Sequence, residues 1–200
     1  MENNDRVKRY FKQRNFSVAE IIFLIVAVIS GFLATFVRNG IVFSTPLLVG
    51  IICFAFCRST KVKDDEVDQI LKKIMQENKI ECNENTIVGY DYKQTLLKKR
   101  KDGKIISPKY YITNFIFSHS GDIVLHNWII DLMAGSATKN SFILTNDEKI
   151  ELIEESINTH MGLKKTFYIL VKGCDYPIPI TISDYNSSLL LEKVCAKNEK

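Results

Sequence analysis

The chain has 200 residues, of which 46% are apolar and 25% charged, room for about one domain. The average conceals two unlike parts: Ile21 to Val37 and Ile41 to Cys57 are free of charge, while charges return every few residues after Arg58. The whole net charge of +4 arises before residue 60, beside the apolar runs, so the basic pI of 8.7 does not argue for a nucleic-acid partner.

The chain opens with a basic segment, residues 1–15, carrying Arg6, Lys8, Arg9, Lys12 and Arg14. Residues 16–58 then read as a two-helix transmembrane hairpin, each run being at the short end of the roughly 17–25 residues that a spanning helix needs. The first extends back through Ser17 and Ala19, which leaves Glu20 at headgroup level. The second carries Pro46, expected in the first helical turn behind a Ser44 or Thr45 cap. That placement leaves only about a dozen apolar residues in the regular helix, so a re-entrant hairpin is the alternative to a full span.

Arg38-Asn39-Gly40 is the whole connection, with Gly40 suited to a helix stop, and so short a link forces antiparallel neighbours. Ala27 with Gly31, and Ser30 with Ala34, are spaced to let the helices approach. No charge lies within the runs to carry a transport pathway, and the hairpin reads as an anchor. Basic residues flank it on both outer sides, while Arg38 stands alone at the tip. Both termini are therefore expected in the cytoplasm of a cell whose plasma membrane the chain crosses twice. A cleaved signal peptide is not expected, because no A-x-A site follows and a second run comes at once.

The domain is expected over residues 62–200. Asp64, Asp65 and Glu66 suit a helix N-terminus, and Val67, Ile70, Leu71, Ile74 and Met75 recur at helical spacing. Thr86–Leu97 and Ile105–Ser118 read as strands around a turn at Asp102-Gly103, the second properly beginning after Pro108. Ser120-Gly121-Asp122 is a further turn before an alternating strand from Ile123 to Leu132. Gly135–Asn140 reads as a loop and Ser141–Thr145 as a strand.

Residues 146–161 fit two patterns. Thr145 and Glu148 form a capping box for a helix with Ile150, Ile153, Ile157 and Met161 on one face, whereas Ile150 and Leu152 alternate as in a strand. Thr166–Lys172 and Ile178–Ser183 complete the strands, and a last helix after Asp184 is expected to bury Leu189, Leu190, Val194 and Leu191. The predicted class is α+β: an antiparallel, strongly bent sheet or small barrel of six to seven strands, closed by a C-terminal helix.

This order resembles a pleckstrin-homology-like domain, and bacterial membrane proteins carry such domains behind a two-helix anchor. More narrowly, DDEVDQILKKI at 64–74 and KDGKIISPKYYITNFIFS at 101–118 resemble a group of poorly characterised bacterial membrane-associated proteins. The resemblance implies a strand over Lys149–Ser156, and it implies no catalytic residue.

Chemistry is sparse. The five cysteines are an odd number without C-x-x-C spacing, which fits free thiols in a reducing compartment and no metal site. Phosphate-loop, dinucleotide and zinc-protease patterns are missing, and no cofactor is expected. His126 with Cys174 is a base and nucleophile without an evident third group, and Glu151, Glu154 and Glu155 read as a solvated strand face.

The one concentrated feature is the basic hairpin Lys98, Lys99, Arg100, Lys101 and Lys104, with Lys109 beyond it. It reads either as charge that discourages edge-to-edge strand pairing or as a lipid-surface contact with anionic headgroups. The expected partners are thus the lipid bilayer and, beyond it, anionic headgroups or a cytoplasmic protein. Two function classes follow: a membrane-anchored, non-catalytic binding or scaffold module, and a membrane-bound enzyme whose site is too scattered to recognise.

Overall fold

A computed structural model describes residues 2–13, 16–36, 40–93, 96–145, 150–182 and 185–196. The chain divides into two units, residues 12–63 and residues 1–11 with 64–200.

The first unit holds α2 (Val18–Phe36) and α3 (Gly40–Ser59), both long and apolar enough to cross a membrane. At 1.5 Å per residue they measure about 28 and 30 Å, close to the roughly 30 Å of a hydrocarbon core. Large apolar side chains point outward along both, with Val28, Phe32, Leu48 and Phe56 all more than 60% exposed or at that value. The helices run antiparallel and touch through small residues. A Cβ on Gly50 would lie 3.2 Å from that of Ala27, and one on Gly31 would lie 3.6 Å from Leu47. Ala27 and Gly31 thus lie at the helix contact, Ala27 against a Gly50 that the sequence analysis did not single out and Gly31 against Leu47.

Two expectations are corrected. Gly40 begins α3 instead of stopping α2, and Pro46 is the seventh residue of α3 instead of lying in its first turn. A 20-residue helix therefore replaces the expected dozen. Proline forfeits one backbone hydrogen bond, a loss that helices tolerate where neighbours satisfy the freed carbonyl. Arg38 and Asn39 of the tip lie outside the described residues.

The hairpin is clasped at its base. Ser17 and Glu20 form a capping box: Ser17 N–H donates to Glu20 Oε2 at 2.6 Å, and Glu20 N–H donates to Ser17 Oγ at 3.2 Å. Glu20 is fully buried, paired with Lys61 and 3.8 Å from Arg58. Gln13 exchanges two hydrogen bonds with the Val62 backbone, at 2.6 and 3.1 Å.

The second unit begins with α1 (Glu2–Lys12), which buries Val7, Tyr10 and Phe11, and resumes with α4 (Asp64–Glu77), which buries Val67 and Ile74. Among the described residues nine strands follow: β1 (Thr86–Tyr90), β2 (Lys98–Lys99), β3 (Ile105–Ile106), β4 (Lys109–Phe117), β5 (Ile123–Asp131), β6 (Ser136–Leu144), β7 (Glu151–Thr159), β8 (Gly162–Leu170) and β9 (Ile178–Ile180). These strands pair antiparallel, in a four-stranded sheet ordered β1-β4-β5-β6, a three-stranded sheet ordered β7-β8-β9, and the small β2-β3 hairpin. Register sets Phe115 opposite Leu125 and Leu125 opposite Phe142, so one apolar row crosses the larger sheet.

The two sheets meet at β1 and β9. Thr181 N–H donates to the Val88 carbonyl at 3.1 Å, and a Cβ on Gly89 would fall 1.8 Å from the Pro179 carbonyl oxygen. Only glycine allows that approach. The core between the sheets gathers Ile87, Phe115, Leu125, Leu144, Ile169 and Ile178, and α5 (Tyr185–Ala196) closes it with Leu190, Leu191 and Val194. Leu189, expected inside, is 42% exposed. A hydrogen-bonded chain from Asn140 through Tyr176 and Asn127 to Thr113, with steps of 2.6, 3.2 and 2.9 Å, ties the β8–β9 loop to the larger sheet.

Several boundaries differ from the expected ones. The strand from Thr86 ends at Tyr90, not Leu97. The stretch Gly135–Asn140 is mostly strand because the chain reverses earlier. Asp131 Oδ1 accepts from the N–H groups of Met133 and Ala134, Gly135 takes φ +68°, and Ser136–Asn140 then pair with β5. The segment after 150 is a strand, and β8 starts at Gly162, whose φ of +98° completes a tight turn. Glu148 of the alternative capping box lies outside the described residues. Pro108 stands between β3 and β4, as its missing N–H requires.

Candidate functional site

The basic hairpin is built as its sequence implies. Lys98 pairs with Ile106 and Lys99 with Ile105, and between them Gly103 takes φ +85° while Asp102 Oδ1 accepts from the Lys104 N–H at 2.9 Å. Tyr92, Leu97 and Ile105 form a small apolar cluster beneath it, joined by Tyr90, Ile157 and Met161.

Its five cations do not act together. Lys98 is only 8% exposed, and its ammonium lies 5.6 Å from the centre of the Tyr10 ring. Arg100 turns toward α4 and donates two hydrogen bonds to the Asp68 carboxylate at 2.7 and 2.6 Å, the fork geometry of a strong pair. Lys99, Lys101 and Lys104 remain exposed. Of the five cations expected to contact lipid, three are exposed, while Lys98 and Arg100 answer a ring and a charge within the domain.

Around Arg100 lies a network spanning α1, α4 and the hairpin. Tyr10 OH donates to Asp64 Oδ1 at 2.7 Å, and the Lys101 N–H donates to Asp64 Oδ2 at 3.1 Å. Burial disfavours the charge on Asp64, but the bonds from Tyr10 and Lys101 and the Arg100 charge outweigh it and hold the carboxyl below its ordinary value. The hydrogen bonds to Asp68 hold Arg100 firmly protonated against its partial burial. Tyr90 and Tyr110 meet edge to face at 5.0 Å, and burial foremost pushes Tyr90 up to about 12 and Tyr110 higher. The Tyr110 hydroxyl is buried with no hydrogen-bond partner among the described residues. A cleft of about 200 Å³ between α1 and α4 is lined by Arg6, Glu66, Gln69, Ile70 and Lys73, too small for a typical organic ligand.

The sequence analysis missed the parts played by Tyr10, Asp64 and Asp68. One signal was legible: Asp64 and Asp68 stand four apart, which puts them on one face of α4. Tyr10 gave no such signal, since its only context was a charged N-terminal segment.

His126 and Cys174 do not bond to each other. His126 Nδ1 is 2.8 Å from Ser141 Oγ on the neighbouring strand, and the Cys174 thiol donates to the Tyr176 carbonyl at 3.1 Å. Burial and the nearby Lys139 lower the His126 basicity. The His126–Ser141 pair sits in mid-strand, directly across the β5–β6 ladder. Glu154 pairs with Lys165 at 2.7 Å and Glu155 with Lys93 at 2.8 Å, both on exposed strand surface, as read.

No family model, curated protein or solved structure matches this chain.

Proposed function

We propose that the chain is a membrane-anchored binding or scaffold module, with α2 and α3 crossing a plasma membrane and the sheet domain displayed at its cytoplasmic face. The observation that carries this reading is the hairpin: two helices of spanning length, outwardly apolar and clasped by charged residues at their base. The four-plus-three division of the large strands, with a helix closing the core, supports a pleckstrin-homology-like domain of the kind found in bacterial membrane proteins. The module works by presenting surfaces to the leaflet or to a protein partner, and Lys99, Lys101 and Lys104 are its exposed hairpin charges.

Two measurements on the full chain test this. Alkaline carbonate should leave it in the membrane fraction of expressing cells. Cys82, an exposed thiol outside the hairpin, should resist an impermeant maleimide in intact cells and react once the membrane is opened. Release by carbonate would refute the anchor, and labelling of Cys82 in intact cells would refute the orientation.

A further inference from the structure

Helix α1 is folded and one-sided: Val7, Tyr10 and Phe11 are buried, while Lys8 and Lys12, four residues apart, are exposed outside that stripe together with Asp5 and Arg9. An aromatic apolar stripe with a cationic reverse face is the composition of a helix that lies at a bilayer surface. Here the domain claims the apolar stripe, through the Tyr10–Asp64 bond and the Lys98–Tyr10 contact. The cationic face is left to solvent, and only five residues separate Lys12 from Val18, the first residue of α2. Of the hairpin cations Lys98 is buried and Arg100 is committed to Asp68, while Lys99, Lys101 and Lys104 are exposed but lie far along the chain from Ser59, the last residue of α3.

We infer that Lys8 and Lys12 of α1 form the surface that contacts anionic lipid headgroups, in preference to the 98–104 hairpin. The inference rests on the anchoring proposed above. Attraction of this kind is electrostatic, requires no pocket, and vanishes when salt shortens the screening length.

The test uses the full chain in nanodiscs of phosphatidylcholine alone and of phosphatidylcholine with phosphatidylglycerol. Amines are acetylated with a neutral succinimidyl ester, and the rate at each lysine is read by mass spectrometry. An anionic surface holds a nearby amine protonated and covered, so Lys8 and Lys12 should react about fivefold more slowly in the anionic discs. High salt should restore their rates, and Lys101 and Lys104 should react alike in both discs. Equal rates at Lys8 and Lys12 in the two lipids would overturn the inference while the anchor stands. Slowing confined to Lys101 and Lys104 would overturn it in favour of the hairpin, and uniform slowing of all four would overturn it by removing any preference. A chain that fails to enter the discs would refute the anchor itself, and the inference with it.

Discussion

Replacing Arg100 with Gln removes the cation that joins the hairpin to α4 while keeping a polar side chain of similar length. The Arg100 side chain is 17% exposed and Asp68 35%, so the pair lies between a surface ion pair and a buried one. A surface pair contributes about 0.2–1 kcal/mol, and breaking a buried pair costs about 3–5 kcal/mol. Solvent reaches Asp68 once its partner is gone, which draws the cost down. Asp64, 18% exposed and 4.0 Å from Arg100 Nε, also loses a compensating charge, which draws it up. The expected loss is about 2 kcal/mol, in the range of a charge-assisted hydrogen bond. For a domain of this size that lowers the melting temperature by about 6–10 °C. Trp128, the one tryptophan in the chain, is 8% exposed in β5 and reports the melt by its fluorescence in detergent-solubilised full chain. Lys101→Gln, at an exposed neighbour, is the control and should shift the melt by less than about 2 °C. Adding Asp68→Asn to Arg100→Gln should cost less than the sum of the separate losses, because both remove one interaction. Equal shifts for Arg100→Gln and Lys101→Gln would refute the reasoning.

Other outcomes follow from the same structure. Gly89→Ala drives a methyl group into the Pro179 carbonyl and should cost about 3 kcal/mol or more, seen as a large fall in the Trp128 melt; a neutral result would refute the β1–β9 approach. Leu190→Ala, in the buried face of α5, should cost about 2–5 kcal/mol, whereas Leu189→Ala on the exposed side should cost well under half of that in the same melt. Asp64 has a carboxyl held below its unfolded value, so its contribution is complete above the ordinary carboxylate range and is lost as pH falls through the depressed value. Asp64→Asn should therefore make melting temperature fall less steeply with acidification, and an acid limb identical to the parent's would count against the Tyr10–Asp64 bond.

Much of the fold is legible wherever a local rule acts alone. Asp102-Gly103 announces its turn, Pro108 its strand boundary, and the apolar runs their helices. The readings that failed are those in which a distant partner decides. Ser136–Asn140 carries loop-like small polar residues, yet it is strand, because an outer strand facing solvent needs only the ladder offered by β5. Pro46 looks like a helix start until α2 supplies a neighbour beside it, with Gly31 against Leu47. The hairpin cations look like one patch by sequence, but Lys98 alternates inward and Arg100 finds Asp68 across 32 residues of chain. Of α1, only its charge was legible, since three buried side chains in eleven residues are too few to declare a face without the surface that receives them.

The clasp at the base of the hairpin has a consequence for synthesis. Glu20 and Lys61 are 41 residues apart, and Gln13 and Val62 are 49 apart. At about 5–20 residues per second, Glu20 leaves the peptidyl-transferase centre about 2–8 s before Lys61 is added. Helix α2 is therefore complete while its acidic residue still lacks both cations that later surround it. Of the partners that the finished structure gives the carboxylate, only Ser17, three residues before it, has been made by then. The second helix thus brings the first more than a packing surface: its trailing end delivers the charge that settles the leading end, and the pair matures as a unit only when residue 62 has been made.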